Sequence, residues 1–233
     1  MGELIIIGKK IKMKINDRLK EIYLPYLDHL KSVSKEEGDK FSYPLLMKAF
    51  PEYDEVKKKI LFVGKETYSW FGTMKNSEDL TVDYLMNCYE EFELGNNYYN
   101  SPFWRFIRIF NSTVNSEEYP KGFLWTNFSK CDSGKTTPSD QLQKLNEKGF
   151  DLLIDEIRIT KPDVIIFITG WDYENEFQRV FAGLKYETVE ENYIYKCIHE
   201  LFPDKTFMTM HPNGLNFRGK FNSTLETITA LLS

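Results

Sequence analysis

Three polar side chains of different chemistry each lie at or just beyond the end of an apolar segment. Glu66 follows residues 59–64, Asn127 ends the segment that begins at Phe123, and His211 follows residues 206–210. A carboxylate can position a water molecule, an amide offers a donor and an acceptor side by side, and an imidazole can donate to an atom that becomes negative. One such residue alone is usually a turn cap, but three together favour a shared site.

Short apolar segments alternate with amphipathic ones along the chain. The apolar segments predict strands at residues 59–64, 123–128, 164–170, 193–198 and 206–210. Periodic patterns predict helices at residues 16–31, 78–93, 102–110, 139–160, 173–182 and 222–232. This alternation predicts an α/β fold of three α/β/α layers around a central, mainly parallel sheet of about four strands. Sites in such sheets lie beyond the carboxyl ends of the strands, which is where the three polar residues fall.

The length and charge of the chain restrict its organisation and its partners. Its 233 residues, 42% of them hydrophobic, predict a helical extension over residues 1–55 packed on an α/β domain over residues 56–233. The formal net charge of −5 argues against a surface that attracts nucleic acid everywhere. A local basic strip remains compatible with that charge.

The cysteine pattern and the N-terminal segment exclude several classes of protein. Cys88, Cys131 and Cys197 are widely separated, so we expect no zinc site, no iron–sulfur cluster and a reducing, cytoplasmic location. The apolar run at residues 4–7 is too short to span a membrane, and we interpret it as an extra strand or a leader. We therefore expect a cytoplasmic monomer without metal, cofactor or membrane contact.

The order of these motifs resembles that of the uracil-DNA glycosylase-like superfamily. Residues 64–68 (Gly-Lys-Glu-Thr-Tyr) resemble its Gly-Gln-Asp-Pro-Tyr motif, and residues 124–127 (Leu-Trp-Thr-Asn) resemble a strand that ends in Leu-Leu-Asn. Residues 211–215 (His-Pro-Asn-Gly-Leu), followed by Arg218 and Gly219, resemble its His-Pro-Ser-Pro-Leu loop and subsequent Arg-Gly. Residues 102–105 (Pro-Phe-Trp-Arg) resemble a helix start of the mismatch-specific branch. The resemblance covers about residues 56–228.

The resemblance implies a DNA glycosylase that hydrolyses the N-glycosidic bond of an altered base flipped out of single- or double-stranded DNA. It implies Glu66 and His211 as catalytic residues, Asn127, Tyr68, Lys65 and Phe103 as base-binding residues, and Gly64, Asn213, Gly214, Leu215 and Arg218 as DNA-binding residues. In these roles Glu66 positions water, His211 donates to developing negative charge, and Asn127 recognises the base edge. The ring that stacks on the base is Tyr98, Tyr99 or Phe103.

Several interpretations stay open on the sequence. Lys65, Glu66 and Thr67 replace Gln, Asp and Pro, and the longer Glu displaces a bound water by about 1.5 Å. Lys65 pairs with Glu66 or contacts a phosphate. Leu215 either enters the gap left by a flipped nucleotide or belongs to the core. Residues 130–135 either grip a DNA backbone or form a plain surface loop.

Two other functions compete with the glycosylase. The altered first motif favours a module of the same fold that binds a base or nucleotide without cleaving it. The acidic net charge favours an enzyme that acts on free nucleosides or nucleotides.

Overall fold

A computed structural model describes residues 14–37, 40–78, 80–134, 143–144 and 146–232. These residues form an α/β fold around a six-stranded mixed sheet of order β2-β1-β3-β6-β5-β4. The strands are β1 (Ile60–Gly64), β2 (Phe123–Asn127), β3 (Val164–Phe167), β4 (Lys185–Glu190), β5 (Ile194–Ile198) and β6 (Lys205–Thr209). The predicted α/β class and mainly parallel sheet are confirmed.

The predicted count of about four strands is wrong. Four strands, β2, β1, β3 and β6, are parallel, and β5 and β4 extend the sheet in antiparallel pairing. β4 lies at the sheet edge with mostly exposed side chains, so its sequence lacks the apolar run of the central strands.

The carboxyl ends of the parallel strands lie side by side. All residues of β1, β2 and β3 are buried, as expected for runs of large apolar side chains covered on both faces. Gly64 pairs with Asn127, and Val63 pairs with Phe167. The segments that follow β1 and β2 therefore start from the same edge of the sheet.

The described helices form two packed groups. They are α1 (Ile15–Glu37), α2 (Val82–Glu91), α3 (Pro102–Asn115), α4 (Glu147–Thr160), α5 (Glu174–Val180), α6 (Pro212–Phe217) and α7 (Phe221–Ala230). One group contains α3, α6 and α7, and the other contains α1, α2, α4 and α5. Within the described ranges, no helix combines the length and apolar character needed to cross a bilayer.

The described part of the N-terminal extension packs on the core. Tyr23 and Tyr26 of α1 are buried, and their hydroxyls donate to Glu156 Oε1 at 2.8 Å and to Asn146 Oδ1 at 2.7 Å. α1 contributes to the same hydrophobic cluster as the sheet. The proposed strand or leader before residue 14 and the predicted helix start at Ser139 lie outside the described residues.

The described start of residues 130–135, which follows β2, is buried. Both interpretations of this segment, a grip on a DNA backbone and a plain surface loop, are therefore wrong for its first residues. Lys130 and Asp132 are 0% exposed. Lys130 Nζ lies 2.6 Å from Glu156 Oε2, and it donates to Thr126 Oγ1 at 2.6 Å and to the Asn127 carbonyl at 2.9 Å. Burial lowers the pKa of Lys130, and the Glu156 carboxylate opposes that shift. Lys130 thus joins the end of β2 to α4 and is inaccessible to a DNA backbone.

Candidate active site

A cavity of about 640 Å³ opens beyond the carboxyl ends of β1, β2 and β6, a size typical of ligand pockets. Its wall includes the loop after β1, the end of α2, the start of α3, and the junction of β6 with α6. The lining residues are Glu66, Thr67, Tyr68, Ser69, Trp70, Phe71, Glu91, Phe92, Asn97, Tyr98, Ser101, Phe103, Trp104, Trp125, His211 and Asn213.

Large aromatic rings form the inner wall of the cavity. The ring centroids of Trp70 and Phe92 are 4.9 Å apart, and those of Trp104 and Trp125 are 4.8 Å apart. Phe103 stacks on the His211 ring at 5.5 Å with an interplanar angle of 24°. Rings that support one another in this way give a rigid apolar wall suited to a flat ligand.

Asp132 fixes the loop that carries Glu66 and Tyr68. The Thr67 hydroxyl donates to Asp132 Oδ2 at 2.6 Å, and the Ser69 backbone N–H donates to the same oxygen at 2.8 Å. Ser69 has a φ of 55°, a left-handed conformation that is uncommon for a residue with a side chain. The Thr67 hydroxyl therefore holds the loop in place.

The Tyr173 hydroxyl and the Lys65 ammonium group hold the Glu66 carboxylate at the cavity wall. Oε2 accepts from the Tyr173 hydroxyl at 2.5 Å, and Oε1 lies 3.3 Å from Lys65 Nζ. Lys65 Nζ also lies 2.9 Å from Asp172 Oδ2. Burial opposes the charge on Lys65, but Asp172 and Glu66 outweigh it and raise the Lys65 pKa. Lys65 therefore pairs with Glu66, which was one of the two interpretations of this lysine from the sequence.

His211 lies where β6 leads into α6. Its Nδ1 accepts from the Asn213 backbone N–H at 3.3 Å, which caps α6, and Pro212 occupies the first helical position. Burial, reinforced by the positive charge of Lys65, lowers the His211 pKa from 6.5 to about 4. The imidazole is therefore neutral at pH 7. Because Nδ1 is the acceptor, the proton resides on Nε2, which can donate a hydrogen bond.

Asn127 lies against Gly64 and is not among the residues that line the cavity. It is 1% exposed, and a Cβ added to Gly64 would lie 2.3 Å from Asn127 Oδ1 and 3.3 Å from Trp125 Nε1. Glycine is required at residue 64 by this close approach. Asn127 Nδ2, Trp125 Nε1 and Trp70 Nε1 are buried donors with no hydrogen-bond partner among the described residues. Such donors are costly to bury, and an acceptor supplied by a ligand or water would reduce that cost.

The segment predicted as a loop at residues 211–215 is instead the start of the short helix α6. Leu215 is 0% exposed because α6 packs against α3 and α7, so the prediction that it projects outward is wrong and its alternative as a core residue is correct. Phe217, two residues later, is 90% exposed. Arg218 is exposed, and its Nη1 lies 3.2 Å from Met210 Sδ. Gly214 is partly buried beside the same methionine.

The structure brings only some of the predicted residues into the cavity wall. Glu66, Tyr68, Phe103, His211 and Asn213 line it, whereas Lys65, Asn127, Gly64, Gly214, Leu215 and Arg218 are not among its lining residues. Of the three stacking candidates, Tyr98 and Phe103 line the cavity. Tyr99 lies outside the wall, with the Arg108 guanidinium 5.0 Å from its ring centroid.

Sequence reasoning missed Trp70, Trp125 and Tyr173. Trp125 lies within the quoted Leu-Trp-Thr-Asn segment, where alternation along the strand could have placed its ring near the site. No local signal joins Tyr173 to Glu66, since 107 residues separate them.

Among the residues that the structure describes, no cluster of three or more His, Cys, Asp or Glu residues is arranged to hold a metal ion. No protein-family model matches the chain, and no curated protein matches it in sequence. What the cavity offers is a held carboxylate, a neutral imidazole donor and an aromatic wall.

Proposed function

We propose that this protein is a DNA glycosylase that hydrolyses the N-glycosidic bond of an altered base flipped into the aromatic cavity. The observation that carries the proposal is that Glu66 and a neutral His211 line the same cavity, from segments 145 residues apart (211 minus 66). This pairing of an acceptor for water with a donor for the leaving group is what cleavage of a base–sugar bond needs.

Each group has a defined role in the proposed reaction. His211 Nε2 donates to a carbonyl oxygen of the base as the C1′–N bond breaks and its electron pair moves onto the base. Glu66 positions a water molecule, whose oxygen bonds to C1′ and whose proton is released. The negative carboxylate also stabilises positive charge on the sugar. The products are the free base and an abasic site.

Lys65 and Tyr173 support this reaction through Glu66. Each contacts one oxygen of the carboxylate and so fixes its position at the cavity wall. The residues that replace the family's Gln and Asp therefore act as a connected unit. The buried amide of Asn127, whose Nδ2 has no partner among the described residues, remains our proposed recognition group for the base edge, and it lies close to Gly64.

The same contacts favour a second candidate, a module that binds a base without cleaving it. The Tyr173 hydroxyl lies 2.5 Å from Glu66, and Lys65 lies on the other oxygen, so the carboxylate has partners before water arrives. Formation of abasic sites distinguishes the two candidates, because both bind DNA and only the glycosylase breaks the bond.

The test uses oligonucleotides that carry a panel of modified bases, incubated with the full chain and then treated with alkali. We expect strand breaks at one class of base. Glu66→Gln should lower the excision rate by about 100-fold or more with nearly unchanged DNA affinity, the magnitude typical of lost general-base catalysis. Glu187→Gln, on the exposed edge strand β4, is the matched control.

Three outcomes count against the proposal. Tight binding without strand breaks on any base supports the binding module. Cleavage of free deoxynucleosides but not of oligonucleotides supports the nucleoside enzyme. Wild-type excision by Glu66→Gln removes Glu66 from the mechanism.

A further inference from the structure

Four exposed aromatic side chains lie on the segments that line the cavity or directly beside its lining residues, and we call them the aromatic rim. They are Tyr68, Tyr98, Tyr99 and Phe217, with exposures of 73%, 59%, 58% and 90%. Tyr68 and Tyr98 line the cavity itself. Phe217 lies four residues after the lining residue Asn213 on α6, which places the two on one face of that helix.

Two arginines of α3 lie beside residues of the rim. The Arg108 guanidinium lies 5.0 Å from the Tyr99 ring centroid, and its Nη2 donates to the Leu94 carbonyl at 2.9 Å. Arg105 Nη2 donates to Asn216 Oδ1 at 2.9 Å, next to Phe217. Arg218, the next residue after Phe217, is exposed. Positive charges therefore lie next to Tyr99 and Phe217.

We propose that the aromatic rim binds single-stranded DNA, whose unpaired bases stack on Tyr99 and Phe217 on either side of the nucleotide in the cavity. The proposal rests on the proposed function, which requires a base to enter from a strand. Stacking on exposed rings needs free base faces, and a paired duplex conceals them. Leu215 is buried and cannot hold open a duplex from which a base has been flipped.

The charge of the molecule favours the same partner. The net charge of the chain is −5, and the three arginines beside the rim can make few phosphate contacts. Phosphate contacts are the main source of duplex affinity for most proteins. Single-strand binding depends more on stacking, which is what the rim provides. The arginines then contact the phosphates between stacked bases.

The experiment measures fluorescence anisotropy of labelled, unmodified oligonucleotides: a thymidine strand, the matched duplex and the equivalent uridine RNA. We expect the single DNA strand to bind about tenfold or more tightly than the duplex. Phe217→Ala and Tyr99→Ala should each weaken single-strand binding by about 5- to 150-fold, the range of base–aromatic stacking. Phe217→Trp should retain the affinity, because indole keeps a stacking face.

Tyr84→Ala and Leu24→Ala, which remove exposed apolar side chains outside the rim, are the controls. Equal or tighter binding of the duplex overturns the proposal, as does unchanged affinity in both rim variants. Tighter binding of RNA overturns the assignment to DNA.

The result is separable from the proposed function. Single-strand binding through the rim without abasic sites on any base refutes the glycosylase and retains this inference. Conversely, if the protein excises a base and the rim variants excise it at the wild-type rate, the glycosylase is retained and the single-strand inference is refuted.

Discussion

Glu66 and His211 line one cavity but lie in different electrostatic surroundings. Glu66 Oε1 lies 3.3 Å from Lys65 Nζ, and its Oε2 accepts a hydrogen bond from the Tyr173 hydroxyl at 2.5 Å. His211 is half-buried and stacks on Phe103; desolvation, reinforced by the charge of Lys65, disfavours its protonation. Lys65 therefore contacts Glu66 and also lowers the pKa of His211, and the proposed reaction uses both groups.

The lowered pKa of His211 predicts a specific pH dependence of stability. Between pH 6.5 and about 4 the unfolded chain binds a proton at His211 that the folded chain does not, so the free energy of unfolding falls as pH is lowered. From pH 7 to pH 5 the wild type should lose about 1–2 kcal/mol more than His211→Asn, which keeps a helix-capping side chain. Urea unfolding of both proteins at the two pH values measures this difference. Parallel losses would show that His211 titrates normally.

Asn127→Ala should reduce discrimination between bases by about 1–3 kcal/mol, the worth of a paired edge contact, while general DNA affinity stays nearly unchanged. Its Nδ2 has no partner among the described residues, so the substitution breaks no hydrogen bond of that atom. Rates across the base panel and a melting curve measure the two effects.

Asn115→Ala is the matched control for Asn127→Ala. Asn115 is also buried, but its amide pairs with both the N–H and the carbonyl of Lys58 at 2.9 Å. Its loss should lower the melting temperature without changing base preference. Full selectivity in Asn127→Ala would reduce that residue to a structural role.

Among the elements, α6 determines which side chains of the last motif reach the cavity. His211 caps the helix, Pro212 starts it, and the helical turn directs Leu215 into the contact with α3 and α7. An extended loop with the same residues would have left Leu215 free to project outward. Because the segment is helical, Asn213 and Phe217 share the exposed face.

Leu215→Ala should destabilise the fold by about 2–5 kcal/mol, as expected for truncation of a fully buried leucine. Activity on single- and double-stranded substrates should then fall alike, in step with the lost folded fraction. Denaturant unfolding and rates on matched substrates test this. A duplex-specific loss at unchanged stability would contradict the burial of Leu215.

Over the whole molecule, acidic residues outnumber basic ones, 35 to 30. Three arginines nevertheless contact segments next to the cavity: Arg105 donates to Asn216, Arg108 lies over the Tyr99 ring and Arg218 contacts Met210. A local patch of this kind supports weak, oriented binding of a strand. It does not give the broad attraction of a basic DNA-binding protein.

This charge distribution predicts a shallow salt dependence for single-strand binding. Three phosphate contacts give a slope of log K against log salt concentration of about −2, since each contributes about −0.7. Arg218→Ala should reduce the magnitude of the slope by about 0.7. Anisotropy titrations at several salt concentrations provide the measurement. A much steeper slope would reveal phosphate contacts outside this patch.

The sequence by itself determined the α/β class, the parallel central strands and the edge of the sheet at which Glu66, Asn127 and His211 gather. These features depend on local apolar runs and on the rule that parallel strands present their carboxyl ends together. The edge strand β4 escaped prediction because strand pairing, and not local hydrophobicity, makes it a strand.

Only the tertiary structure decided how the site is built from these segments. Lys130 became a buried partner of Glu156, Tyr173 reached Glu66 across 107 residues, and Leu215 turned inward while Phe217 turned outward. Each outcome depends on which side chains from distant segments fill the neighbouring space. A charge that becomes buried needs a charged or hydrogen-bonding partner, and an apolar group needs a close-packed environment. Which side chains become buried depends on distant segments and cannot be deduced from a local window of the sequence.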